Sequence, residues 1–240
     1  MSTTPPPPPG PGRRAFEVVL DWVESRILAG DLSVGDVLPA ERELAQTLEV
    51  SRAAVREAVR ALQAMGVVRS AVGAGGAGGT TITAVPSRAL TELLQLHVAL
   101  ANFPLPDVIE VRIALERLSV RLVAGLDPDE HLSDVRAALD VMAEPTLDRQ
   151  GFNDADTAFH VALATAGGNR LAADLTTAIR ESLRLPILDR FRSLEEWDEV
   201  VHRLRADHEA IYAAVARHDI EEAERLMEQH IRSAWSRLDR

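Results

Sequence analysis

The stretch LPAERELAQTLEVSRAAVREAVRALQAMGVVR, residues 38–69, contains two short helical patterns separated by a tight break. Pro39 suits the entry to the first helix, and Leu44 and Leu48 follow it at helical spacing. Beyond the break, Val55 and Val59 resume the apolar pattern. Two helices that share one small core across a tight turn are typical of a helix-turn-helix.

The second of these helices has the features of a helix that reads DNA. Ser51 stands where an N-cap is expected, so the first turn leaves backbone N–H groups exposed beside Arg52. Arg56 and Arg60 follow at intervals of four, on the side opposite the apolar stripe. Arginines at this spacing also occur on ordinary solvated helices. Within residues 51–70, however, four arginines stand against one acidic residue, which favours contact with phosphates or base edges.

The flanking sequence completes a small domain around this pair of helices. An amphipathic pattern over about residues 14 to 29, which stops at Gly30, predicts a preceding third helix. After Gly66, the apolar pair VV, the run VGAGGAGG and the segment TTITAV predict two strands joined by a glycine-rich loop. We therefore expect three helices followed by a β-hairpin wing.

This region resembles the N-terminal winged helix-turn-helix of the GntR family of bacterial transcription regulators, whose usual pattern runs LPSERELAxxLGVSRxxVREALRxLxxxGLV. The resemblance implies that Arg42, Arg52 and Arg56 contact DNA and that the hydroxyl of Ser51 holds a phosphate. It also implies that the tip of the wing, at Gly73, enters the minor groove.

Glu49 departs from that pattern, because the family usually has glycine in the turn. We expect a residue with a Cβ to adopt a left-handed conformation there, at a cost of about 1–2 kcal/mol. The wing, with five glycines between residues 73 and 79, is also longer than usual.

Composition limits the class of protein. The chain has 240 residues, of which 46% are hydrophobic, and this suits two small domains. It has no cysteine, which excludes disulfides and thiolate metal sites. No apolar stretch approaches the roughly 20 residues of a membrane span. Because MSTTPPPPPGPGRR lacks the apolar core of an export signal, we expect a disordered proline-rich tail at residues 1–13 and a cytoplasmic protein.

Charge separates the two domains. The formal net charge is −11, yet eight arginines and nine acidic residues precede residue 80, whereas eighteen arginines and 28 acidic residues follow it. The acidic load therefore belongs to the second domain. We predict a mainly α protein with a winged helix-turn-helix at residues 14–85 and an all-α bundle of six or seven helices at residues 87–240.

The bundle is predicted from helical periodicity and from residue pairs that resemble capping boxes. The pairs are Asp107 with Glu110, Asp127 with Glu130, and Asp219 with Glu222. The predicted helices lie at about 87–101, 107–124, 128–143, 149–166, 169–192, 195–217 and 219–238. Pro186 is expected to break or kink the fifth of them.

Four polar residues of the bundle have the spacing of a metal site. Asp156 and His160 stand four residues apart, on one face of a single helix. His208 and His230 lie about 11 residues to either side of a turn near residue 219, which brings them to similar heights in a helical hairpin. One carboxylate and three imidazoles suit zinc, with nickel, cobalt or manganese also compatible.

The segments DADTAFHVALATAGGN, RADHEAIYAAVARHD and EEAERLMEQHI resemble the FCD effector domain of the FadR subfamily. This resemblance implies that Asp156, His160, His208 and His230 bind a divalent metal ion. It also implies a small carboxylate effector, such as a sugar acid, a hydroxy acid or a dicarboxylate, that completes the coordination. By the same resemblance Arg112 faces the effector, although an ion pair with Glu116 on an exposed surface fits its spacing equally well.

These features together predict a ligand-responsive transcription regulator, a repressor that binds a pseudo-palindromic operator in double-stranded DNA as a homodimer. One alternative is a metal-dependent enzyme fused to a DNA-binding head, although no further group stands at the spacing of a general base. Another alternative is a regulator whose metal is purely structural or is itself the signal.

Overall fold

The computed structural model describes residues 14–70, 79–83, 87–127 and 131–238. The chain forms two compact units, and the boundary falls between Ala89 and Leu90. The elements before the boundary are α1 (Ala15–Leu28), α2 (Glu41–Thr47), α3 (Arg52–Ala64), β1 (Val68–Ser70) and β2 (Thr80–Ile82). Helix α4 (Ser87–Ala99) spans it. After it come α5 (Leu105–Ala124), α6 (Ser133–Ala143), α7 (Arg149–Ala166), α8 (Arg170–Ser193), α9 (Trp197–Ala216) and α10 (Ile220–Leu238).

The first unit is the predicted winged helix-turn-helix. Helix α3 begins at Arg52 because the hydroxyl of Ser51 accepts a hydrogen bond from the N–H of Ala54 at 3.1 Å. Strands β1 and β2 pair antiparallel with Val68 opposite Ile82, and both of these side chains are buried in the core that α1, α2 and α3 share. The predicted tip of the wing at Gly73 and the predicted tail at residues 1–13 lie outside the described residues.

The turn between α2 and α3 contains the expected left-handed residue. Glu49 has φ 53°, a conformation that glycine adopts without strain and other residues adopt at a cost. The departure of this sequence from the family pattern therefore leaves the turn geometry in place.

The second unit is a helical bundle around α5, which contacts α7, α8, α9 and α10. Its core consists of fully buried apolar side chains from each of these helices, among them Val120, Phe159, Leu183, Ile211 and Ile231. All the elements of this unit in the described ranges are helices, as predicted. None of those helices is long and apolar enough to span a bilayer.

The predicted start of α5 is wrong. Helix α5 begins at Leu105 with Pro104 as its N-cap, so Asp107 lies within the first turn and does not cap the helix. Pro106 explains this early start, because its fixed φ and missing N–H suit a first turn. Helix α8 has nearly the predicted bounds and continues through Pro186, so of the two expected effects of this proline a break does not occur.

The other predicted caps have different outcomes. Asp219 does cap α10, since its Oδ1 accepts a hydrogen bond from the N–H of Glu222 at 3.2 Å. The carboxylate of Glu222 binds Arg225 and does not complete a capping box. The third predicted pair cannot be placed, because Glu130 lies outside the described residues.

Candidate functional site

The candidate DNA interface is the exposed side of α2 and α3. Arg42, Arg52 and Arg56 are all exposed there, while the opposite face of α3 is buried. Arg56 lies 3.9 Å from Glu41, an exposed contact too weak to hold its guanidinium away from a ligand. The Ser51 oxygen accepts the capping hydrogen bond, which leaves its O–H hydrogen able to donate to a phosphate.

The second candidate site is a buried cluster that the bundle assembles from three helices. Asp156 and His160 lie one turn apart on α7, His208 lies on α9 and His230 lies on α10. The hairpin between α9 and α10 turns at His218, as the residue count predicted, and this brings the last two histidines to the same level. All four side chains are buried.

The distances within the cluster fit a common ion. His208 Nε2 lies 3.0 Å from Asp156 Oδ1, and His160 Nε2 lies 3.7 Å from the same oxygen. The two Nε2 atoms are 3.4 Å apart, and one ligand atom from each of the four residues lies within 4.8 Å of the others. Nitrogen and oxygen ligands around a tetrahedral ion would stand roughly 3.3 Å from one another, given metal–ligand bonds of about 2.0–2.2 Å.

A second layer of charged groups orients these ligands. His160 Nδ1 lies 2.5 Å from Glu116 Oε2, which turns Nε2 of the same ring toward the cluster. Arg112 Nε donates to Glu116 Oε1 at 2.6 Å, and its Nη2 lies 3.5 Å from His160 Nε2. His230 Nδ1 lies 3.4 Å from Asp207 Oδ2, so its Nε2 is the atom left for the cluster.

Arg112 therefore satisfies parts of both interpretations of the sequence. It forms the ion pair with Glu116, yet the expectation of an exposed surface is wrong, because Arg112 is 5% exposed and Glu116 is 1% exposed. The pair lies inside the bundle beside the histidines.

Arg180 on α8 is the principal residue that sequence reasoning missed. It is buried, and its Nη2 donates to Asp156 Oδ2 and, at 3.2 Å, to Thr157 Oγ1. Its Nε and Nη1 have no hydrogen-bond partner among the described residues. The one signal in the sequence was its spacing of three and seven from the buried Leu183 and Ile187, which places it on the apolar face of the helix.

The protonation states of the cluster residues favour the binding of a cation. Burial raises the pKa of Asp156, but the Arg180 guanidinium and hydrogen bonds from His160 and His208 outweigh this and hold that pKa well below its usual range. Burial lowers the pKa of His208. Burial, together with repulsion from the nearby His208, lowers the pKa of His230 to about 3. The carboxylate is therefore ionised and these two imidazoles are neutral near pH 7, the protonation states that a metal requires.

The other histidines in the described part of the chain lie elsewhere. His202 is exposed on α9, six residues before His208. His97 contacts Asn102, and His218 contacts the carbonyl oxygen of Ala124.

A small cavity opens beside the cluster, between α5, α7, α8, α9 and α10. Arg112, Asp156, Arg180 and His230 line one end of it. The cavity holds about 30 Å³ of free volume, enough for one or two water molecules.

Comparisons with known proteins agree with this architecture. Residues 16–77 match the family described as "Bacterial regulatory proteins, gntR family", and residues 107–233 match the FCD domain. The HTH-type transcriptional regulator LutR of Bacillus subtilis is 33% identical over 204 residues, which cover 84% of this chain and 91% of LutR. The HTH-type transcriptional repressor NanR of Enterobacter sp. is 29% identical over 230 residues, which cover 92% of this chain and 84% of NanR.

Solved structures show the same fold. A GntR protein of Streptococcus agalactiae superposes with a TM-score of 0.58 at 25% identity, covering 92% of this chain and 99% of that one. These relatives are named as regulators, so the alternative of a metal-dependent enzyme is wrong. The chain belongs to the GntR family of bacterial transcriptional regulators and combines its helix-turn-helix with an FCD domain.

Proposed function

We propose that this protein is a repressor of the FadR subfamily that binds operator DNA as a homodimer and is released by a small carboxylate held at a metal ion in the FCD domain. The observation that carries this proposal is the convergence of Asp156, His160, His208 and His230 beneath a buried arginine with unused donors.

Zinc suits the cluster best, and nickel, cobalt or manganese suit it as well. Three imidazoles and one carboxylate form a donor set of intermediate softness, and no thiolate is present to favour a softer ion. Asp156, His160, His208 and His230 would hold the metal. When bound, the metal supplies a positive charge and a coordination position for a carboxylate oxygen.

The charges around the cluster favour an anionic effector. Arg112 and Arg180 are balanced by Glu116 and Asp156, so a divalent ion adds a surplus of positive charge to a buried region. Arg180 Nε and Nη1 can donate to the incoming carboxylate, because the described residues leave both without partners. Arg112 faces the same end of the cavity.

Effector binding requires movement of the bundle. The free volume of about 30 Å³ is smaller than any carboxylic acid of metabolic size, so side chains of α5, α8, α9 and α10 must shift to admit one. A coupling of about 1–3 kcal/mol between this shift and operator binding is sufficient for regulation.

The geometry of operator reading and one apolar surface support the proposed homodimer. A single helix-turn-helix reads only half of a palindromic site. Leu93 and Leu96 of α4, and Leu100 just after its end, follow one another at helical spacing and are 56%, 64% and 70% exposed, which makes this surface the best-supported contact between two copies. Sedimentation should show a dimer that Leu96→Glu weakens.

Thermal unfolding of chelated and zinc-loaded protein against a panel of small carboxylates tests the sensor. Zinc at a hundred times its Kd should stabilise the fold by about 2.7 kcal/mol. An acid should then add further stabilisation only to the zinc-loaded form. His208→Gln should abolish both effects, whereas His202→Gln, an exposed histidine on the same helix, should change neither.

The other outcomes identify the competing interpretations. Stabilisation by zinc without a response to any acid would show that the metal is structural or is itself the signal. Equal responses of chelated and zinc-loaded protein to the same acid would refute a metal-centred pocket.

A further inference from the structure

The cavity beside the metal cluster has one charged end and one apolar body. Beyond the charged end, large apolar side chains from four helices surround the space; they are Ile109, Ile187, Phe191, Val200, Leu204 and Trp235. Most of these side chains are deeply buried, so the body of an effector would lie against hydrocarbon.

We infer that the effector is a monocarboxylic acid with a short apolar body, and that sugar acids and dicarboxylates are rejected. This inference rests on the proposed function, in which the carboxylate is held at the metal cluster. It narrows the effector classes that the family resemblance implies.

Polar groups in the body of the cavity already have partners. Ser233 Oγ donates to the His230 carbonyl oxygen at 3.1 Å, and Arg203 Nη2 donates to Glu199 Oε1 at 2.6 Å. Asp207 lies 3.4 Å from the His230 ring. Apolar side chains outnumber these polar groups along the body of the cavity, so most hydroxyl groups of a sugar acid would exchange water for apolar walls, and each unpaired hydroxyl should weaken binding by about fivefold or more.

A second carboxylate would also lack a partner. Arg112 and Arg180 lie at the metal end, where the first carboxylate is bound. Arg203 is the other arginine among the described lining residues, and because its side chain is 45% exposed, solvent would screen its attraction for a second carboxylate. A diacid would have to leave its second charge against Ile187 or Phe191, which costs far more than an apolar group would.

An apolar body gains affinity in the same place. Each methylene that leaves water for this wall should strengthen binding by about fourfold. The small free volume limits the body to a few carbons unless the wall moves further. Acids of six carbons serve as probes because an apolar, a hydroxylated and a dicarboxylic member of this size can be compared.

The experiment compares hexanoate, gluconate and adipate by calorimetric titration into zinc-loaded full-length protein. All three are six-carbon acids, and they differ in bearing an apolar chain, five hydroxyls or a second carboxylate. Hexanoate should bind at least about tenfold more tightly than either of the others. Equal or tighter binding of gluconate or adipate would overturn the inference and leave the carboxylate sensor intact.

Variants locate the preference in the apolar wall. Ile187→Thr adds a hydroxyl to the wall and should narrow the ratio of hexanoate to gluconate affinity severalfold. Val141→Thr also replaces a branched apolar side chain with threonine, at a valine that is 48% exposed, and should leave the ratio unchanged. An unchanged ratio in the Ile187 variant would overturn the inference.

Zinc content is measured for every variant, which separates loss of the metal from loss of the acid. If zinc binds and none of the three acids does, the carboxylate sensor itself fails. That result differs from a reversed preference, which removes only the apolar specificity.

Discussion

Replacing Asp156 with asparagine should lower the free energy of unfolding, because the buried charges of the bundle balance one another in pairs. Asp156 is 5% exposed and its carboxylate pairs with Arg180, which is 1% exposed. Arg112 and Glu116 form a second buried pair beside it. Removing the Asp156 charge therefore leaves the Arg180 guanidinium buried without its anion.

The burial of the Asp156–Arg180 pair determines how much stability the Asp156→Asn variant should lose. Breaking one partner of a buried ion pair costs about 3–5 kcal/mol, because the remaining charge stays desolvated. Removing both charges with Asp156→Asn and Arg180→Met leaves Arg112 and Glu116 balanced. The double variant should therefore be about 2–3 kcal/mol more stable than the Asp156→Asn variant.

Urea unfolding of the chelated protein, followed by tryptophan fluorescence, measures these free energies. Asp140→Asn serves as a matched control, because Asp140 pairs with Arg136 at 2.8 Å and is 65% exposed. The control should lose less than about 1 kcal/mol. A double variant no more stable than Asp156→Asn, or a loss at Asp156 no larger than at Asp140, would refute the charge balance.

Further predictions concern the DNA-binding unit. Glu49→Gly should raise the free energy of unfolding by about 0.5–1 kcal/mol, because relief of the φ 53° strain exceeds the entropy cost of glycine; no gain in thermal stability would count against this. Arg52→Ala and Arg56→Ala should each weaken DNA binding and reduce by about 0.9 the steepness with which the logarithm of the DNA association constant falls against the logarithm of salt concentration. Arg136→Ala in the bundle should do neither, and equal losses in all three variants would contradict the assigned interface. Ser51→Gly should cost only a few tenths of a kcal/mol in stability yet weaken DNA binding, and undiminished DNA affinity would remove the phosphate contact.

The elements that the sequence predicted well depend on local chemistry. A serine such as Ser51, directly before an amphipathic segment, is a favourable N-cap, and the periodicity of Val55 and Val59 specifies which face of the helix is buried. Asp156 and His160 could be paired because four residues make about one helical turn. The similar heights of His208 and His230 along their two helices could be predicted by counting residues to either side of the short turn between those helices.

The features that the sequence did not predict depend on tertiary packing. Arg180 and Glu116 are charged residues of a kind that usually lies in solvent, and only the packed bundle shows that both are buried, Arg180 against Asp156 and Glu116 against His160. The start of α5 was placed too late because Asp107 resembles a cap, whereas Pro104 and the following proline extend the helix. The apolar wall of the cavity depends on the rotation of four helices, which periodicity alone does not determine.

Operator affinity in four states of the protein tests the proposed switch most directly. A DNA duplex selected by the protein from a random pool is titrated with chelated protein and with zinc-loaded protein, each with and without saturating hexanoate, at one fixed salt concentration. We expect zinc and hexanoate together to weaken DNA binding by about 5- to 150-fold, and each alone to change it little. Equal affinity in all four states, with zinc and hexanoate both shown to be bound, would contradict a metal-centred effector switch.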